Sequence, residues 1–443
     1  MDNKYFGTAS IYRILLKLAP PIMVAQLIQG LYNIVDSFFI GRYSTAGLNA
    51  LSVIYPVQNL ITAIAIGTGV GVNTVMSRFF GQGEKNKAKE TSGCGNVIAF
   101  CTWVIFALLS LFFLEPYINI SISDESSRNQ CLSYGRIVCL FSLGIFMESM
   151  WTKIHQSKGN MNLPMIAQVS GAIVNIVLDP ILIFGNNKYN IPSLGIEGAA
   201  IATVAGQWVA AVIVGISGFT KPCPLKVFGS YTKLIYTAAM PSIFMQIMYT
   251  VYIIGLNLIL SSFTDAAVTV LGLYYKIQSL FFIPLVGLQT CIVPIISYNY
   301  AAKSIKRCHK ILFDAIIFTA VSMIFGLTLF EVCPKTLLNF FTSDSVVLEI
   351  GAVGFRIIAT SFIPASFSLF FPVYFQAVGE NKKSVFLTIL RHIILFVPVA
   401  YVLHFFGLSF VWFTFPITEV ITAVTGAVFY YKFYNGFFVA KRS

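Results

Sequence analysis

Residues 19–89 realign without a gap on residues 239–309, at a constant shift of 220. Ala19, Pro21, Gln26, Tyr32, Ala46, Leu51, Tyr55, Gln58, Leu60, Gly67 and Ser77 fall on Ala239, Pro241, Gln246, Tyr252, Ala266, Leu271, Tyr275, Gln278, Leu280, Gly287 and Ser297. A chain that repeats itself in this way is constrained to fold as two copies of one unit. Asp36 is the exception that matters, because its partner position holds Leu256. The two copies are expected to share a fold while only the first carries this acid.

The repeated unit is made of long apolar segments. The chain is 57% hydrophobic and 10% charged, against roughly a quarter charged in soluble domains. So much apolar surface cannot be hidden in one core, and the bilayer must act as the solvent. Twelve apolar segments approach the roughly 20 residues needed to span, near 17–40, 50–76, 94–114, 133–152, 164–185, 195–218, 236–261, 267–298, 311–330, 351–375, 385–405 and 409–431. The first is too long for a cleaved signal peptide and contains Pro20, Pro21 and Asp36. The predicted fold is an all-α polytopic membrane protein of twelve transmembrane helices. Residues 1–218 form a first lobe, 219–233 a polar linker containing Lys221-Pro222-Cys223-Pro224, and 234–443 a second lobe. Six spans is an even number, so the second lobe enters the membrane in the same sense as the first. The repeats are then parallel, an architecture of secondary transporters.

The net charge of +12 does not indicate nucleic acid, because 22 of the 29 basic residues fall on alternate loops. These include Lys4, Lys85, Lys87, Lys153, Lys221, Lys303, Lys382, Arg391, Lys441 and Arg442, whereas Glu115, Asp124, Asp265, Asp344 and Glu349 fall on the opposite side. By the positive-inside rule both termini are cytoplasmic, and the bases meet anionic lipid headgroups of the cell membrane. The eight cysteines form no CxxC pair, so all eight are expected to pack as thiols rather than form a disulfide or bind zinc. Gly67-Thr68-Gly69-Val70-Gly71 lacks the flanking strand and Lys-Ser/Thr of a nucleotide loop and reads as a close helix contact. The four histidines have no metal-ligand spacing. No catalytic constellation stands out, and neither an enzyme nor a cofactor is expected.

Acids inside apolar spans carry the information, since each costs several kcal/mol unless paired, neutralised or hydrated. Asp36 lies in the first span. Asn175 and Asp179 lie four apart in the fifth, on one helix face, and Pro180 removes the donor for the carbonyl of Ile176. Two carboxylates, an amide oxygen and a freed carbonyl suit a hard cation such as Na+ or a shared proton. The alternative is that each Asp is satisfied by a neighbouring helix and only locks packing. Lys276 either faces a central cavity or snorkels to an interface. Glu148 and Glu419 read as interfacial or paired acids rather than as substrate ligands. Met23, Met147, Met150, Met240, Met245 and Met248 either line an adaptable cavity or simply pack.

At Leu31-Tyr32-Asn33-Ile34-Val35-Asp36 with Ile40-Gly41-Arg42, at Asn175-Ile176-Val177-Leu178-Asp179-Pro180 and at Gly195-Ile196-Glu197-Gly198-Ala199-Ala200-Ile201-Ala202-Thr203, the chain resembles the multidrug and toxic compound extrusion (MATE) family. Pro294-Ile295-Ile296-Ser297-Tyr298-Asn299-Tyr300 resembles its MepA-type bacterial branch. The resemblance implies two six-helix lobes forming a V-shaped cavity, and export of amphipathic, often cationic compounds by antiport with Na+ or H+. It implies a cation site at Asp36, Asn175, Asp179 and Thr203. A first-helix glutamate that joins this site in some members has no match here, and Gln26 and Gln29 are the nearby polar groups. Acids used by another branch in the seventh and tenth helices are absent from 236–261 and 351–375. Gln26, Gln29, Tyr32, Met245, Lys276 and Gln278 are the expected substrate-cavity residues. The expected partners are a small-molecule drug or metabolite and membrane lipid, with no partner protein required. The competing expectation is a flippase or exporter of lipid-linked precursors or polysaccharide from the same superfamily.

Overall fold

A computed structural model describes residues 5–122, 124–185 and 192–439, without the side chains of 33, 34, 45, 48, 49 and 437–439. Lys4, Lys441 and Arg442, read above as cytoplasmic bases, lie outside the described residues. Every regular element among the described residues is helical. The helices that matter below are α1 (Ile11–Tyr43), α2 (Thr45–Gly81), α3 (Lys85–Ser121), α4 (Glu125–Leu140), α5 (Leu143–Ser157), α6 (Asn162–Phe184), α7 (Gly195–Gly218) and α8 (Leu225–Ser261). They are followed by α9 (Asp265–Phe281), α10 (Ile283–Ala301), α11 (Ile305–Val332), α12 (Ser345–Ala359), α13 (Phe362–Ser368), α14 (Phe370–Val378) and α15 (Asn381–Ile389). A π-helical turn over Leu390–Phe396, α16 (Val397–His404) and α17 (Thr414–Val439) complete the set. Among the described residues ten helices are long and apolar enough to cross a membrane, and two bent helix pairs, each taken as one span, bring the number to twelve. The side chains that face outward fit a lipid solvent: Phe112 and Phe113 on α3, Val321 and Phe325 on α11, and Val420 and Val424 on α17 are all exposed.

The duplication is written into the helix ends. Shifting by 220 carries the starts of α2, α3 and α4 at Thr45, Lys85 and Glu125 onto those of α9, α11 and α12 at Asp265, Ile305 and Ser345. Ser44 caps α2 by accepting from the Gly47 amide at 3.2 Å, and Thr264 caps α9 by accepting from the Ala267 amide at 3.2 Å. Asp124 caps α4 and Asp344 caps α12 in the same way, each at 2.8 Å. A side-chain acceptor at this position satisfies an otherwise orphaned amide of the first turn. The bonds from Ser127 hold the Asp124 carboxyl below its ordinary pKa range.

Both copies also bend at the same place, by 42° between α4 and α5 and by 48° between α12 and the α13–α14 segment. Ser142 Oγ donates to the Cys139 carbonyl, and Ser361 Oγ to the Ile358 carbonyl. Hydroxyls that take up carbonyls in this way let a helix break without leaving them unpaired. The apolar runs 267–298 and 351–375 therefore do not form the single helices expected. The first is interrupted at Phe282, with Pro284 in the opening turn of α10, and the second at Thr360–Ser361.

The chain divides into two compact units. One comprises Met1–Ala9 with Leu16–Gln246, and the other Ser10–Leu15 with Ile247–Ser443. In the first unit, Ile54, Ile61, Leu114, Ile118, Tyr134, Phe146, Ile183 and Ile196 form one core, and Val72, Met76, Ile98, Met150, Ile154 and Ile235 a second. A Cβ on Gly67 would stand 2.4 Å from the Ile243 side chain, and one on Gly71 would stand 2.4 Å from the Ile235 carbonyl. The glycine run is thus a close helix contact. The second unit packs on rings: Phe330 stacks on Phe355 at 4.8 Å, with Tyr274, Phe281 and Phe362 edge-on around Phe330.

Two expectations need correction. Cys94 and Cys223 form a disulfide, with Cα atoms 5.1 Å apart, so not all eight cysteines are thiols. Their sequence separation of 129 hid the pair. The segment after α7 folds back on the start of α3, where Asn96 Nδ2 donates to the Thr220 carbonyl at 2.8 Å and Ser92 meets the Thr220 hydroxyl at 2.8 Å. Gly93 leaves room for the Lys221 carbonyl. Arg391 is not a loop base either. It is 7% exposed, lies in the π-helical turn and pairs with Glu419 of α17 at 2.5 Å. Pro398 supplies no donor to the Ile394 carbonyl, and the widened turn absorbs that break. Arg391 also donates to His392 Nε2 at 2.7 Å, and His392 Nδ1 in turn donates to the Thr388 carbonyl at 2.9 Å. Ser368 donates to Glu419. Lys153, another base counted in a loop, is buried in α5.

Removing one member of the Arg391–Glu419 pair leaves a charge buried and uncompensated. Glu419→Gln is expected to lose about 3–5 kcal/mol of stability, with the double change to apolar residues recovering much of it, as read from thermal unfolding of the purified protein. A thiol probe applied under denaturing conditions should label two fewer cysteines before reduction than after it.

Candidate functional site

The first unit brings the four expected cation-site residues together. Asn175 and Asp179 share one face of α6, Thr203 faces them from α7, and Asp36 comes from α1. All four are buried, at 2%, 0%, 7% and 7% exposure in that order. Glycines set the geometry of α6 against α7. A Cβ on Gly206 would stand 2.6 Å from the Gly171 carbonyl, and a Cβ on Gly171 the same distance from the Gly206 carbonyl. Glycine at both positions lets the two backbones nearly touch. Asn175 can then donate from one amide nitrogen to Asp179 Oδ1 and to Thr203 Oγ1, each at 3.4 Å. Asp179 and Asp36 lie within electrostatic reach of each other.

Acceptors outnumber donors here. Asp36 Oδ1, Asn175 Oδ1 and Asp179 Oδ2 are buried without a hydrogen-bond partner. Among the described residues neither aspartate forms a salt bridge, and no group of three or more His, Cys, Asp or Glu side chains is placed to hold a metal. A buried carboxylate oxygen without a donor is costly. Two such oxygens with an amide oxygen and a hydroxyl beside them fit a hard monovalent cation or a proton, and they do not fit a soft metal.

Asn175 and Thr203 also form part of the wall of a cavity of about 110 Å³. Its other polar lining is Gln29, Tyr32, Glu148, Gln168 and Gln207. Neither aspartate lines it, and Asn175 of the wall donates to Asp179 outside the lining. Of the expected substrate-cavity residues, Gln29 and Tyr32 are here. Gln26 and Met245 are half-buried outside the lining, while Lys276 is exposed and Gln278 half-buried on α9 of the second unit. Glu148, read as an interfacial or paired acid, is buried against the cavity, and Glu419 is paired as described above.

Sequence reasoning missed Tyr134, Gln58, Gln168 and Gln207. Tyr134 is 1% exposed, accepts from Gln58 Nε2 at 3.1 Å and lies within the field of Asp36. Gln168 was detectable: residues 168, 172, 175 and 179 fall on one face of an otherwise apolar helix. Gln207 carried no such signal, because only the contact of α7 with α6 makes it part of the wall.

A twice-repeated set of membrane-spanning helices with a buried cluster of acceptor oxygens in one copy has the architecture of a polytopic membrane transporter. The sequence model described as MatE matches residues 21–181 and 241–402, and the chain belongs to that family, whose members are transporters and not enzymes. It is 23% identical to the multidrug export protein MepA of Staphylococcus haemolyticus, over 99% of this chain and 97% of that protein. It is 25% identical to an FAD transporter of Shewanella oneidensis, over 90% of this chain and 89% of that one. Among solved structures, a MATE transporter in a bent conformation superposes with TM-score 0.91 at 20% identity, covering 100% of both chains. An outward-facing multidrug resistance MATE transporter superposes with TM-score 0.89 at 21% identity, covering 97% of both.

The glycine contact is the most direct handle on the site. Gly206→Ala should force α6 and α7 apart at a cost of about 1–3 kcal/mol. Gly229→Ala, where nothing lies within 4 Å of the added Cβ, should be neutral or stabilising. Paired thermal unfolding curves decide between these outcomes.

Proposed function

We propose that this chain exports organic compounds from the cell in exchange for inward-moving Na+ or H+, which binds at Asp36, Asn175, Asp179 and Thr203. The observation that carries the reading is the acceptor-rich pocket: three buried oxygens without donors, two of them carboxylate oxygens, and no salt bridge to either acid among the described residues. A transporter gains from such a pocket because its energy differs sharply between filled and empty states, and only a difference of that kind can bias a conformational equilibrium. The names of the MepA relatives support an organic drug or metabolite as cargo.

The two helices that hold Asp179, Asn175 and Thr203 are joined backbone to backbone, whereas α1 carries Asp36 with Leu16, Val24, Leu27, Leu31 and Phe38 exposed along it. Pro20 and Pro21 interrupt its hydrogen-bond ladder. Filling the pocket draws Asp36 toward a fixed partner, so α1 is the element that repacks. The lobes 1–218 and 234–443, joined by 219–233, then alternate access by rocking. In this reading the chain works alone in the cell membrane, with both termini cytoplasmic.

Ethidium efflux from proteoliposomes, under sodium and pH gradients imposed separately, tests this. Wild type should export under one gradient, which names the ion, and Asp36→Asn and Asp179→Asn should fall to background. Full gradient-driven export by both variants would refute the acid pair. No export by folded wild type under either gradient would redirect the search to lipid-linked precursors.

A further inference from the structure

The acid pair leaves one buried carboxylate of the same unit without a task. Glu148 is 9% exposed on α5 and lines the same cavity as Asn175 and Thr203. Its donors are all uncharged. Thr152 Oγ1 donates to Oε1 at 2.8 Å, Gln168 Nε2 to Oε1 at 3.3 Å and Ser149 Oγ to Oε2 at 3.4 Å. Lys153, further along α5, acts on it through space, while its ammonium donates to Gln156 at 3.0 Å. No salt bridge to Glu148 forms among the described residues. Three donors fix the carboxyl group at the cavity wall, and none of them neutralises it by an ion pair.

The rest of the lining has the same polarity. Gln207 Oε1 is buried without a donor, and Gln207 lines the cavity, as does Tyr32. An anionic wall with a spare acceptor and an aromatic residue calls for a ligand that brings positive charge and N–H donors. A phosphate or carboxylate would meet a like charge and acceptors that cannot bond to it. The cavity volume of about 110 Å³ takes a polar head group rather than a whole drug-sized molecule.

We propose that Glu148 is the specificity-determining residue of this transporter, selecting cargo by a protonated amine or amidine group that docks against Glu148 and Gln207. This rests on the export reading above and adds a division of labour to it. The coupling ion sits at the acid pair and the cationic head of the cargo in the cavity, so the two need not exchange one carboxylate. The cavity disfavours a flavin dinucleotide, whose pyrophosphate is anionic, as the cargo of this pocket.

The test uses a matched pair of probes, a dansylated primary alkylamine and its N-acetylated neutral counterpart. Binding to the purified full-length protein is followed by dansyl fluorescence. Wild type should prefer the amine by about tenfold, a difference of about 1.4 kcal/mol. Glu148→Gln should erase that preference while leaving acetamide affinity unchanged, and Glu148→Asp should keep part of it. Wild type binding both probes equally overturns the proposal, whatever the variants do. So does a folded Glu148→Gln that keeps the preference, or one that loses both probes alike. Should Glu148→Gln fail to fold, the wild-type preference and Glu148→Asp still decide. Amine-selective binding without gradient-driven export would sink the export reading and spare this one. Export of both probes at equal rates would do the reverse.

Discussion

Charge buried among lipid-facing helices must be neutralised where it stands, and the two halves of this protein meet that requirement in opposite ways. The second unit neutralises itself. Arg391 and Glu419 pair inside it, with Ser368 and His392 taking up the remaining bonds. The first unit does not. Asp36 and Asp179 share a pocket whose other polar groups are an amide and hydroxyls, and three of its acceptor oxygens lack donors. A self-neutralised pair is indifferent to ions in the surrounding medium, whereas an uncompensated one has a free energy that depends on whether a cation or proton is present. The same helical scaffold can therefore hold one half fixed and make the other responsive.

The tyrosines of the duplicated segment show how local this divergence is. Tyr32 and Tyr252 occupy equivalent positions. Tyr32 feels Asp36 and Asp179, while Tyr252 stacks on Phe396 at 4.6 Å and bonds to Tyr275 at 3.2 Å, beside the Arg391–Glu419 pair. Caps, helix starts and bends have kept the shift of 220 through Asp344 and Ser345, well beyond the segment in which sequence alone aligns. Backbone architecture has been held constant, and the chemistry has been rewritten one side chain at a time.

How much of this was legible in the sequence follows from the range of each interaction. Spans and the repeat were readable because hydropathy and gapless identity act along the chain. Asp36, Asn175 and Asp179 were readable because an acid in an apolar run is costly wherever it stands. Helix breaks inside 267–298 and 351–375 were not, because neither Pro284 at the first break nor a Ser361 hydroxyl that takes up a carbonyl at the second changes mean hydropathy enough to divide an apolar run. Arg391 was misplaced for a related reason. Beside Lys382 and Lys383 it looks like one more loop base, and only Glu419, 28 residues further on, reveals it as half of a buried pair. The Cys94–Cys223 bond depends on the linker folding back on α3, and nothing in the spacing of the two cysteines encodes that.

Glu148 sits at the limit of such reading. In sequence it is an acid near the end of a span, which fits an interfacial residue at least as well as a ligand. In the fold it stands opposite Gln168 and near Gln207, two amides contributed by helices that follow it in the chain, and together they give the cavity its sign. That sign is a property of the assembled wall: Thr152, Ser149 and Gln168 spend donors on the carboxylate, Asn175 spends its nitrogen on Asp179 and Thr203, and acceptors remain. An excess of acceptors in the cavity wall is a stronger statement about cargo than any one residue, because a ligand without donors that displaces water from them would leave each unpaired at a cost of about 1–3 kcal/mol.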